Sequence, residues 1–156
     1  MHITDLITVE RIIRGATAVS RKHSLEQLSE RLATGQPKLS AGEIVTSLSE
    51  REDLYSTGLG RGVAIPHGRI KGCTRATGAF LKLAQGVDFN ATDRRPVDML
   101  FAFIVPEHHI DEHLEILALL AHLFSDGELC AQLRRAAQAN DMFDLLAHWQ
   151  AQHAPA

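Results

Sequence analysis

A layered α/β (α+β) sandwich is the fold this chain predicts, and three observations predict it. Capped, helix-periodic segments come first, strand-like apolar runs occupy the middle, and helical periodicity returns at the end. The run from Val97 to Val105 is apolar at every position except Asp98, which suits a central strand covered on both faces. The length of 156 residues, with 45% hydrophobic and 22% charged, suits one soluble domain with a sizeable core. That domain is expected over residues 1–150, with a frayed tail over residues 151–156.

The first helix is expected at Ser24-Leu25-Glu26-Gln27, a capping-box pattern, with Leu25, Leu28 and Leu32 on one face and Gly35 past the end. A second box, Ser40-Ala41-Gly42-Glu43, opens a helix carrying Ile44, Val45 and Leu48, with Arg51 in its last turn. Val63-Ala64-Ile65 is a short apolar run after a glycine-rich segment. Ala76 to Leu83 reads as a strand closed by Ala84-Gln85-Gly86, and Pro96 and Pro106 bound the central strand. From Asp111 to Phe124 two apolar stripes recur, Leu114, Leu117, Ala121 and Phe124 beside Ile116, Leu120 and Leu123, so this helix is expected to be buried on more than one side. Two shorter helices follow near 127–137 and 141–150, with Asp126 and Asn140 as expected N-caps.

Composition excludes several functions. The formal charge is −3 and the basic residues are scattered or paired, which gives no nucleic-acid footprint. No apolar run is long enough to span a bilayer, and the N-terminus lacks a signal-peptide pattern, so a cytoplasmic protein without membrane insertion is expected. Cys73 and Cys130 form no CxxC pair and read as reduced thiols. Gly58-x-Gly60-x-Gly62 lacks the Lys-Ser/Thr of a P-loop and leads into a strand, which argues against a nucleotide loop. His109-Ile110-Asp111-Glu112-His113 has the inverted zinc-protease spacing, but Pro106 and His108-His109 put His109 before the helix, and too little chain remains for a third ligand and a cleft. No metal and no cofactor are expected.

The most informative segment is Ser56-Thr57-Gly58-Leu59-Gly60-Arg61-Gly62-Val63-Ala64-Ile65-Pro66-His67-Gly68. Glycines clear space for close approach of another molecule, and Pro66 fixes the backbone before His67. The imidazole is expected at a rim, exposed and addressable as a nucleophile. Its unperturbed pKa, about 6.5, leaves a free lone pair near neutrality.

From Glu52 to Gly68 the chain resembles the active-site signature of type 2 enzyme IIA proteins of the bacterial sugar phosphotransferase system. Glu52 is followed after six residues by Leu59-Gly60, and then by Val63-Ala64-Ile65-Pro66-His67-Gly68. Ser49-Glu50-Arg51 upstream, the stretch from Phe89 to Asp98 downstream, and His113-Leu114-Glu115 with Leu117 extend the likeness. Among the branches it is most similar to the nitrogen-regulatory enzyme IIA, through Ser56-Thr57-Gly58 and the segment from Pro96 to Ala102.

The resemblance implies a mixed sheet of about five strands flanked by helices. It implies a phosphocarrier in which His67 accepts a phosphoryl group on Nε2 while a backbone acceptor holds Nδ1, with Arg51 and His113 alongside. Ser56, Thr57, Gly58, Gly60, Gly62 and Gly68 would serve phosphate or partner binding through backbone N–H groups, hydroxyls and open space. The implied donor is an HPr-like (NPr-like) phosphocarrier. The acceptors would be a IIB domain in the sugar-transport forms, or regulated targets such as a potassium transporter or a sensor kinase in the nitrogen-regulatory branch. A binding module whose histidine no longer turns over is the alternative from another class.

Overall fold

The computed structural model describes residues 1–153. In chain order it holds α1 (Ile3–Leu6), a 3-10 turn (Val9–Arg11), β1 (Ile12–Ala16), α2 (Arg21–Ala33) and α3 (Ala41–Leu54). Next come β2 (Gly58–Gly60), β3 (Val63–Ala64), β4 (His67–Ile70), β5 (Thr77–Val87) and β6 (Val97–Pro106). The chain then closes with α4 (Ile110–Phe124), α5 (Gly127–Arg135) and α6 (Ala139–His153).

The apolar run of β6 makes it the spine. β5 pairs antiparallel on one edge, with β1 parallel beyond it; β3 and β4 pair parallel along the other edge, with β2 antiparallel to β3. Alternation along the strands splits the core in two. Phe80, Met99, Phe101, Phe103 and Val105 face a cluster with Ile3, Leu6, Ile116, Leu120, Leu133 and Leu146, which puts α1, α4, α5 and α6 on that side. Ala79, Leu81, Leu100, Ala102 and Ile104 face Leu25, Leu28, Leu32, Ile44 and Leu48 of α2 and α3. Each fully buried Leu or Phe contributes roughly 1.5–3 kcal/mol by leaving water. Cys73 and Cys130 are free, buried thiols in the two opposite clusters.

The sheet has six strands, where about five were expected. The reason lies at Ile65-Pro66. Val63 sits opposite Met99, Ala64 opposite Leu100 and His67 opposite Phe103, so β3 and β4 follow one register along β6. Proline lacks the amide hydrogen a ladder needs, and the strand breaks there into two.

Several local expectations are corrected. The helix α2 starts one turn before Ser24, because Ser20 takes the cap and accepts from the His23 amide. Ser24 lies inside the helix, buried, donating to the Ser20 carbonyl at 3.0 Å. The Ser40–Glu43 capping box and the Asp126 cap form as read. Asn140 is no cap, since α6 already includes Ala139. Residues 151–153 continue α6 instead of fraying, and 154–156 lie outside the described residues. The strand β5 runs past Ala84-Gln85-Gly86 to Val87 through a register shift. In α4 only the stripe with Ile116, Leu120 and Leu123, plus Phe124, is buried; Leu114 is exposed, as is Ile110.

Candidate functional site

His67 is the first residue of β4, immediately after the strand break. The break leaves the Ile65 carbonyl out of the ladder and turned to the histidine ring, 2.7 Å from Nδ1. A carbonyl oxygen only accepts, so Nδ1 carries the proton and Nε2 holds the lone pair. The ring stacks on Phe103, directly opposite on β6, at 5.5 Å between centroids and 14° between planes. His113, in the first turn of α4, meets it edge-on at 5.0 Å and packs against Phe103 at 5.6 Å.

The expectation of an exposed ring is corrected: His67 is only 6% accessible. It is not sealed. Among the described residues Ser29 Oγ is the only wholly enclosed side-chain nitrogen or oxygen without a partner, and Nε2 has no hydrogen bond, so Nε2 keeps a path to solvent. Burial pushes the His67 pKa down to about 4; the bond to Ile65 opposes this, while the charge of Arg51 and the neighbouring His113 push the same way. The ring is therefore neutral at physiological pH. Burial likewise lowers the His113 pKa, helped by Arg69 and Arg51.

Two cations, from two elements, stand near the rings. Arg51, in the last turn of α3, is half-buried and donates to the Tyr55 carbonyl at 2.7 Å, and its charge bears on both rings. Arg69 is exposed and follows His67 by two along β4, which places both on one face of the strand. Sequence reading passed over Arg69 and Phe103. The two-residue strand period pointed to the first, while Phe103 was hidden in an apolar run whose register only pairing fixes. Arg51 and Arg69 bring permanent positive charge to the surroundings of the two rings.

The remaining predicted residues sit differently. Thr57 gives its amide to Glu52 Oε2 at 2.8 Å and its hydroxyl to Glu52 Oε1. The Ser56 hydroxyl donates to the Phe89 carbonyl at 2.7 Å and accepts from the Gly58 amide at 3.1 Å. Both hydroxyl donors are thus taken up within the fold. A Cβ on Gly58 would stand 2.9 Å from the Cβ of Ala91. Gly60 and Gly62 adopt left-handed φ of +87° and +84°, and a Cβ on Gly62 would meet Arg134 at 2.7 Å and Asp98 at 2.9 Å. Gly68 alone of the four adjoins His67, and a Cβ there would stand 2.7 Å from Ser47 Oγ, so it lets α3 lie against β4. His109 stands at the N-cap position of α4 without a side-chain cap bond, and its Nδ1 pairs with Glu112 at 3.1 Å.

Comparison with known proteins shows the family. The family model described as phosphoenolpyruvate-dependent sugar phosphotransferase system, EIIA 2, matches residues 5–149. The chain is 36% identical to a nitrogen regulatory protein of Pseudomonas aeruginosa over 146 residues, covering 94% of this chain and 95% of that one. The crystal structure of nitrogen regulatory protein IIA-Ntr from Neisseria meningitidis superimposes with a TM-score of 0.88 at 37% identity, over 92% of this chain and 98% of that one. A mannitol enzyme IIA from Escherichia coli, solved in complex with phosphorylated enzyme IIB, shares the fold with a TM-score of 0.77 at 19% identity, over 91% and 97% of the two chains. A match over most of the chain, and relatives above one-third identity, settle kinship: this chain belongs to the EIIA type 2 family of the sugar phosphotransferase system and is similar to its nitrogen-regulatory members.

Proposed function

We propose that His67 is a phosphoryl acceptor, loaded on Nε2 by the phosphohistidine of an HPr-like carrier, and that its phosphorylation state regulates the proteins this chain binds. The observation that carries the reading is the fixed imidazole: Nδ1–H bonded to Ile65 at 2.7 Å and Nε2 unbonded, with Arg51 and His113 bearing on the ring and Arg69 on His113. In the transfer the donor's N–P bond breaks as the bond to Nε2 forms. Because Nε2 is already a lone pair, no proton has to leave. The transition state spreads charge over three equatorial oxygens, and catalysis there is positioning plus countercharge. The guanidinium of Arg51 is suited to that work.

The surroundings favour a protein as donor. Leu54 and Tyr55, which follow Arg51, are 72% and 80% exposed. Ile110 and Leu114, on the α4 turn that carries His113, are 52% and 59% exposed. Apolar side chains on both flanks, with the recessed His67 ring between them, form a surface for another globular protein. A dianionic phosphoryl group arriving inside that collar changes which partners fit it. Regulated targets such as a potassium transporter or a sensor kinase follow from likeness to the nitrogen-regulatory branch.

Incubation with phosphoenolpyruvate, enzyme I and an HPr-type carrier tests the reading. An acid-labile, alkali-stable label that disappears in His67→Ala is expected. No label under conditions that charge the carrier would make the chain a binding module instead. Onward transfer to a IIB cysteine would place it in sugar transport.

A further inference from the structure

We propose that Glu52 is a positioning residue for His67, acting through a continuous chain of hydrogen bonds that sets which ring nitrogen carries the proton. The inference rests on His67 being the acceptor, as proposed above.

Glu52 occupies an odd place. Along α3 the buried residues are Ile44, Leu48 and Glu52, so a carboxylate stands where the apolar stripe calls for a third aliphatic side chain. It is 2% accessible, and among the described residues no cation lies within ion-pair distance of it. A buried carboxylate without a paired cation is costly unless hydrogen bonds satisfy it. Thr57 does so, through its backbone amide at 2.8 Å and its hydroxyl. Both donors of one residue are spent on one carboxylate.

What those bonds hold is the next link. The Thr57 carbonyl accepts from the Ile65 amide at 3.1 Å. The Ile65 carbonyl, at the other side of the same residue, accepts from His67 Nδ1 at 2.7 Å. Rotation of the Ile65 peptide units would break the second bond, and the Thr57 bond resists that rotation. From Glu52 to the ring the route is therefore carboxylate, Thr57, Ile65, imidazole, with no gap and no side chain free to swing. Its far end fixes the Nδ1–H tautomer and leaves Nε2 as the nucleophile. Released from such a partner, a histidine ring exchanges freely between its two neutral tautomers.

Nitrogen-15 NMR of the His67 ring in the unphosphorylated protein at neutral pH reads the tautomer directly. In the native chain the Nδ1–H form is expected alone. In Glu52→Gln, which keeps the size but sets an amide NH2 against one of the two Thr57 donors, the Nε2–H form is expected to appear, and phosphoryl acceptance to fall about tenfold with the far-UV circular dichroism unchanged. Should Glu52→Gln fail to fold, Thr57→Val, which removes only the hydroxyl bond, is expected to shift the tautomer in the same direction to a smaller extent. A ring that keeps the pure Nδ1–H form in a folded variant overturns the proposal, whatever the rate does. Because the spectrum needs no phosphoryl donor, its outcome is separate from any failure of the carrier function itself.

Discussion

The two halves of the segment from Gly58 to Gly68 do different work. The first half, the hairpin of β2 and β3, packs its glycines against Ala91, Asp93, Asp98 and Arg134. The second half carries His67, between the end of α3 and the start of α4. Gly62 pairs near the start of β6, where its carbonyl accepts from Asp98 and Met99, while His67 sits opposite Phe103. At the strand rise of about 3.3 Å per residue, these points are about 15 Å apart. A motif continuous in sequence is split between a glycine hairpin and the histidine proposed above as the phosphoryl acceptor. Its glycines serve chain geometry.

That division can be broken or sharpened by measurement, starting with the largest effect. Buried His67 has its pKa pushed down to about 4, against about 6.5 for an unperturbed histidine. A depressed folded-state value gives stability that is complete above the unfolded pKa and lost as pH falls toward 4. That one ring accounts for about 3 kcal/mol between pH 7 and 4. Urea unfolding across that range should show a steeper decline in the native chain than in His67→Gln, and a ring titration near 6.5 would refute the assignment.

Arg51→Ala comes next. Removing one charged donor aimed at developing charge costs on the order of a hundredfold in rate. Initial rates of phosphoryl acceptance should fall by that much with little change in melting temperature. A native rate would mean that Arg51 serves only the Tyr55 carbonyl.

Gly62→Ala should show the opposite profile. A left-handed φ of +84° and a clash at 2.7 Å with Arg134 predict a loss of stability; such backbone strain costs about 1–3 kcal/mol. Acceptance per folded molecule should stay at the native rate. If the rate falls tenfold in folded protein, the hairpin and the histidine are not separate.

The smallest effect is Arg69→Ala. An exposed charge is screened by water and salt, so a loss of about three- to fivefold at low ionic strength is expected, fading at high salt. A salt-independent loss would place Arg69 in direct, desolvated contact with phosphate.

Where sequence reading succeeded, the signal was local. The Ser40–Glu43 box and the Asp126 cap are contacts within one turn, and the apolar run of β6 needs burial wherever it lies. Local chemistry misled where a competitor lay nearby: Ser20 took the cap assigned to Ser24, and Ala139 started a helix before Asn140. The short strand β1 has only two strongly apolar residues, Ile12 and Ile13, and exists through its pairing with β5. For Leu114, period alone could not distinguish a core stripe from one left exposed beside His113.

By itself, the amino-acid order determined the layered α/β architecture and the central strand, because capping and apolar periodicity are short-range properties; it singled out His67 by its glycine-proline setting, and Arg51 and His113 only through the family resemblance. Only the tertiary structure decided that the ring is recessed, that Phe103 supports it, that Arg69 joins the cations, and that Thr57 answers to Glu52. Those facts depend on which residues distant in the chain meet across a sheet, and strand register is a property of the folded whole.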